Sequence, residues 1–193
     1  KALADKLVAL LRSGAPYGAK DFACRQLGIL GTADEVPALA AFLADEKLSH
    51  MSRYALERIP CRAACEALRQ ALSKTKGSVL VGVINSLGNR RDAAAVADLA
   101  RLLRDPYAAV ADAAAAALGK IGPAAVPVLE QALDSAALPI RPALADGCLL
   151  AADQLAAEGK SAPATAIYDR LRKVELPRAL RIAAVRGAIL ARQ

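Results

Sequence analysis

DPYAAVADAAAAALGKIGPAAVPVLEQAL, residues 105–133, holds two helix signals separated by a glycine-proline turn. Asp105-Pro106 reads as an N-cap followed by proline at the first helical position. The Ala-rich run that follows is built from strong helix formers. Gly122 suits the residue just past a helix end, in the left-handed conformation. Pro123 and Pro127 then fall in the opening turn of a second helix, where a missing N–H is harmless. Two helices joined this tightly form a hairpin, and a lone hairpin leaves an apolar face that must stack on a neighbour.

The neighbours are present as copies. Leu27-Gly28, Leu87-Gly88 and Leu118-Gly119 share a Leu-Gly pair, and Leu56 and Leu149 fill matching places, so the anchors fall 29, 31, 31 and 31 residues apart. A second ladder through Leu39, Leu68, Leu99 and Leu129 keeps the same rhythm, with spacings of 29, 31 and 30. A fixed period of this size marks a repeat array. Leu27-Gly28-Ile29-Leu30-Gly31 repeats the Leu-Gly-x-x-Gly ending at 118–122, so Gly31 is expected to be left-handed like Gly122. Asp34 or Asp92 is expected to cap the second helices. The predicted fold is all-α, an α-α superhelix of about five to six helical hairpins.

The residues Asp105-Pro106-x-x-x-Val110, Ala114, Ala117-Leu118-Gly119 and Ile121-Gly122 resemble the short bacterial form of HEAT repeats, similar to those of bilin lyase-type HEAT proteins. The similarity spans about residues 15–135. It departs from the pattern where Ala111 and Asp112 replace the Arg that often follows the Val, and where the unit at 47–74 lacks the Leu-Gly pair. The resemblance implies that second helices line a concave side where ligands dock. Arg69, Gln70, Arg101, Glu130 and Gln131, just after the second leucine ladder, are the binding residues it suggests.

Working outward, a lone helix at about 2–12 precedes hairpins at roughly 16–45, 48–74, 77–104 and 106–134. A longer, more divergent fifth unit follows at about 139–173. Its first helix should run through Ala152 to Ala157 and stop at Glu158-Gly159, with Ser161 capping the next. Residues 176–192 read as one further helix. We take the whole of 1–193 as a single repeat domain. It begins at Lys1 and ends on a helix with no following partner, so it is expected to be a piece of a longer or processed chain. Aromatics are only 3%, with no Trp, so β-rich packing is not expected and Val79-Leu80-Val81 is read as helical too. Every apolar run is interrupted by a charge, Gly or Pro, so membrane insertion is not expected. The reading leans to a cytoplasmic protein, with export left open.

Net charge is the most informative polar feature. Residues 1–159 carry 18 Lys plus Arg against 17 Asp plus Glu, whereas residues 160–193 carry 8 against 2, so nearly all of the +7 lies at the C-terminal end. Arg170, Arg172, Lys173, Arg178, Arg181, Arg186 and Arg192 form this basic patch. Arg178, Arg181 and Arg192 should share one helix face, with Arg186 to the side. Such a patch suits an acidic protein surface or a phosphate backbone, but a solvated face is the stronger explanation, and a protein partner is favoured over nucleic acid. Tyr168 is the one aromatic near it, and single-strand binders usually need more stacking surface.

No catalytic constellation is expected. His50 is the sole histidine and is followed by Met51, so the His-Glu pairs of a deoxyhypusine hydroxylase-like di-iron site are missing. Without Trp, an alkylpurine glycosylase-like base pocket is disfavoured. His50 beside Ser49 and Ser52 has no third orienting group. Glu57 with Glu66, and Asp98 with Asp112, read as partners of nearby arginines. Cys61 and Cys65 at i, i+4 lack the further pair that a zinc site needs, and Cys24 and Cys148 read as core residues. No metal or cofactor is expected. The leading expectation is therefore a non-catalytic protein-interaction scaffold, with another protein as partner. The alternatives are nucleic-acid or polyanion binding through the basic end, and a lyase-like accessory enzyme.

Overall fold

In the computed structural model, which describes residues 1–135 and 139–193, the chain is all helical, with twelve α-helices and no strand among the described residues. It divides into two compact units, Lys1–Arg90 and Arg91–Gln193.

The first unit contains α1 (Ala2–Arg12), α2 (Tyr17–Leu30), α3 (Val36–Ala40), α4 (Ser49–Arg58), α5 (Arg62–Leu72) and α6 (Gly77–Asn89). α2, α4 and α6 stack side by side, and α1, α3 and α5 form the layer behind them. The second unit repeats the scheme with α7 (Val96–Leu102), α8 (Ala108–Ile121), α9 (Val126–Ser135), α10 (Arg141–Ala157), α11 (Ser161–Leu171) and α12 (Arg178–Leu190). Here α8, α10 and α12 make one row, while α7, α9 and α11 pack against it. Two layers of paired helices, each covering its neighbour's apolar stripe, are the local arrangement of an α-α superhelix.

The core follows the two leucine ladders. Leu27, Leu56, Leu87 and Leu118 are fully buried, as are Leu39, Leu68, Leu99 and Leu129. Leu149 is also buried. Alanine lets the first helices approach closely, and α8 buries Ala111, Ala113, Ala114, Ala115 and Ala117 together. Cys24 and Cys148 lie in this core, where burial pushes their thiols up to about 11 and about 12.

The helix ends differ from the sequence expectations in four places. Gly31 is extended rather than left-handed (φ −71°), because the chain turns directly into Thr32. Thr32, not Asp34, caps the second helix of that hairpin: its hydroxyl accepts from the Asp34 amide, while its own amide and hydroxyl donate to Glu35 at 2.6 and 2.9 Å. Led by the backbone bond, these contacts hold the Glu35 carboxyl below its ordinary value. Asp105 does not cap α8 directly. It accepts from the Tyr107 amide at 2.9 Å, and the helix begins at Ala108. Ser161 is the first residue of α11, with Lys160 in the cap position and no side-chain cap. Asp92 does cap as expected, accepting from the Ala94 amide.

Gly122 is left-handed at φ +85°. Arg91 occupies the corresponding place, four residues after Leu87, and it too has positive φ, at 51°. An L-residue with a Cβ pays for that conformation, and glycine does not. Arg91→Gly is therefore expected to stabilise the protein by about 0.5 kcal/mol, because the relieved strain slightly exceeds the added unfolded-state entropy. A thermal melt in which the variant unfolds below the wild-type temperature contradicts this.

Candidate functional site

In the second unit, α7, α9 and the start of α10 enclose a groove of about 930 Å³. Leu103 and Leu144 form its buried floor. Arg101, Arg104, Gln131 and Asp134 stand around its rim. Arg101 is held by Asp98, one turn earlier, at 2.7 Å. Two of the five residues suggested for binding, Arg101 and Gln131, thus share one opening. Glu130 is turned differently, half-buried and 4.0 Å from Arg170. Arg69 and Gln70 lie on α5 in the first unit, the former half-buried and the latter exposed.

The basic end separates into two groups. Arg170 pairs with Asp134 at 2.5 Å, and Arg172 and Arg192 converge on the carboxylate of Asp169 at 3.1 and 2.5 Å. Arg192 lies past the last residue of α12 and so does not join the face of Arg178 and Arg181. Among the described residues no carboxylate pairs with Arg178, Arg181 or Arg186. These three, with Arg172, border a second groove of about 590 Å³ on the outer side of α12. Its centre is apolar: Ile182, Val185, Ile189 and Leu190 are all exposed. Tyr168 is buried, and its hydroxyl donates to Asp153 at 2.5 Å. Burial and that bond raise its pKa, and the ring is not available for stacking.

The candidate nucleophiles have structural employment. The buried Ser49 hydroxyl donates to the Leu43 carbonyl at 2.8 Å, and that of Ser52 to the Leu39 carbonyl at 2.5 Å. Both serines tie α4 to the preceding segment, leaving neither hydroxyl for His50. Glu57 accepts from Ser86 and Asn89 of α6, and Glu66 from Arg62. Cys61 precedes α5 as its N-cap residue, so it does not share a helix face with Cys65. The Cys65 sulfur accepts from Arg90 at 3.0 Å. Among the described residues no three metal-ligating side chains gather, and no helix is long and apolar enough to cross a membrane.

Residues 65–146 match the family model described as HEAT repeats. A crystal structure of an engineered protein shares the fold with a TM-score of 0.55 at 21% identity, covering 98% of this chain and 96% of that one. A second engineered protein matches with a TM-score of 0.54 at 19% identity, covering 98% of this chain and 58% of the other, so the chain spans little more than half of it. Similarity at these identities is one of fold. No curated protein matches the chain.

Proposed function

We propose that this chain is a non-catalytic scaffold that binds another protein through the α7–α9 groove. The observation that carries this reading is the convergence of Arg101 and Gln131 on one opening with an apolar floor and a mixed polar rim. Interfaces commonly combine such a desolvated centre with a polar border, and Arg is enriched among the residues that carry their energy. HEAT-repeat similarity over residues 65–146 covers all of α7 and α9, which supports the same reading. Ser135, the hydroxyl lining the groove, donates to the Gln131 and Ala132 carbonyls at 3.2 and 3.4 Å rather than to a base, which favours recognition over turnover.

A photo-crosslinking residue placed at position 131 should trap a polypeptide partner, whereas the same residue at exposed position 12 should not. The double variant Arg101→Glu/Gln131→Arg should weaken binding of the trapped partner by about tenfold or more without changing the helical circular-dichroism spectrum. Undiminished binding by that variant removes the groove from consideration. Affinity for duplex DNA that falls steeply with rising salt would instead favour polyanion binding through the basic end.

A further inference from the structure

We infer that the outer face of α12 is a second docking surface, shaped for an amphipathic helix whose apolar stripe is bordered by Asp and Glu. The distribution of side-chain size over α12 leads to this. The face turned inward is made of small or partly covered residues, with Ala184 and Ala188 buried and Gly187 close against the ring of Tyr168. A Cβ at Gly187 would overlap that ring, so α12 lies tight on α11. The larger apolar side chains face out: Ile182 and Ile189 are each 55% exposed and Val185 40%. This leaves α12 with a row of large apolar groups that its own unit does not cover.

The exposed residues are also patterned. At about 100° per residue, Ile182, Val185 and Ile189 fall within about 60° of one another, the i, i+3, i+7 spacing of a helix-packing stripe. Arg181 lies about 80° to one side of that stripe and Arg186 about 60° to the other, while Arg178 stands in line with its N-terminal end. Arg172 closes the groove from the end of α11. An apolar stripe between two cationic margins is complementary to a helix with acidic margins.

Other occupants fit less well. A phosphate backbone would use the arginines but gain nothing from Ile182, Val185 and Ile189, and Tyr168 is not available to stack a base. A bilayer surface would be held by a single row of three large apolar groups, a small area for an interfacial anchor whose strength scales with buried apolar area. A second copy joined face to face would set Arg178, Arg181 and Arg186 against their own counterparts.

The test uses two fluorescent synthetic helix peptides with the same leucine stripe, one flanked by Glu and one by Lys, titrated with the full chain. The Glu peptide should bind, and the Lys peptide should bind at least about tenfold more weakly. Ile182→Ser/Ile189→Ser should weaken the Glu peptide by about tenfold or more, and Arg181→Glu/Arg186→Glu should reverse the preference. All four positions are exposed, so unchanged melting temperatures are expected to show that the fold persists. Arg101→Glu/Gln131→Arg should leave peptide affinity unchanged, which separates failure of this surface from failure of the α7–α9 groove. Absence of any Glu-peptide binding, or equal affinity for both peptides, overturns the proposal. So does tighter binding of duplex DNA or of phosphatidylserine vesicles, or self-association that Ile182→Ser/Ile189→Ser abolishes.

Discussion

Gly119→Val is expected to destabilise the second unit by about 3 kcal/mol, and Gly119→Ala by about 2 kcal/mol, in urea unfolding followed by circular dichroism. Both numbers run against helix propensity, since alanine in a helix interior is worth about 1 kcal/mol over glycine. Geometry decides which effect wins. A Cβ on Gly119 would stand 2.7 Å from the Gly147 Cα and 2.8 Å from its carbonyl oxygen. A Cβ on Gly147 would meet the Ala115 carbonyl oxygen at 2.8 Å. These obstacles are backbone atoms, which cannot swing aside, so α8 and α10 must move apart along their shared face. Loss of close packing there should exceed the propensity gain. Gly18, in the first turn of α2, has nothing within 4 Å of an added Cβ, and Gly18→Ala should be neutral or stabilising. The double variant Gly119→Ala/Gly147→Ala should cost less than the two single changes together, because helices already separated by one methyl accommodate the second. A stabilising Gly119→Ala would show that the two helices are not in backbone contact.

The Leu-Gly pair at 118–119 reads in sequence as a repeat anchor, and the leucine half of that reading is a matter of period alone. Any residue recurring every thirty positions on an Ala-rich helix is a core candidate, and Leu27, Leu56, Leu87 and Leu118 are all fully buried. What the glycine does depends on a residue one repeat away, Gly147, which no local pattern couples to it. The same holds for the polar contacts between stacked helices. Arg53 of α4 donates to the Gly82 carbonyl of α6 at 3.0 Å, and Gln154 at the end of α10 donates to the Gly119 and Lys120 carbonyls at the end of α8. None of these residues stood out in sequence, because an Arg or Gln on a helix is ordinarily solvated. For the candidate sites, the second leucine ladder leads to Arg101 and Gln131, which line one groove, but also to Glu130, which does not line it and lies 4.0 Å from Arg170. The charge count located the basic end. It could not show that Asp134 and Asp169 occupy Arg170, Arg172 and Arg192, nor that an apolar stripe separates Arg181 from Arg186. Ion pairing between separate helices depends on which faces the packing brings together, and periodicity says nothing of that.

Arg90→Ala should lower the stability of the first unit by about 3 kcal/mol, for a reason that only the assembled helices supply. Its guanidinium, half-buried at the end of α6, donates to the carbonyls of Leu56, Glu57, Ile59 and Cys61 at 2.5 to 3.1 Å and to the Cys65 sulfur at 3.0 Å. Those carbonyls lie at the C-terminal end of α4 and in the turn to α5, where the last helical carbonyls lack intrahelical donors and the dipole favours a cation. Alanine would remove a donor from each of them at a half-buried turn, although the Ile59 carbonyl still accepts from the Cys61 amide. Five bonds sharing one side chain do not add independently, and part of the group is solvated, so about 3 kcal/mol is a fairer expectation than the sum of separate charged hydrogen bonds at about 1.5 to 3 kcal/mol each. Arg90→Lys keeps the charge but replaces a planar fork with one compact head, and should recover about 1 kcal/mol. Full recovery by lysine would mean that charge at the end of α4 suffices and that the fork geometry is immaterial. Hydrogen exchange makes the effect local: amides of the α4–α5 turn and the start of α5 should lose protection in Arg90→Ala before those of α1 and α2. Since α5 carries Arg69 and Gln70, its docking against α4 is what would hold those two side chains in a fixed place. A binding surface on this helix would therefore depend on a cation one repeat further along the chain.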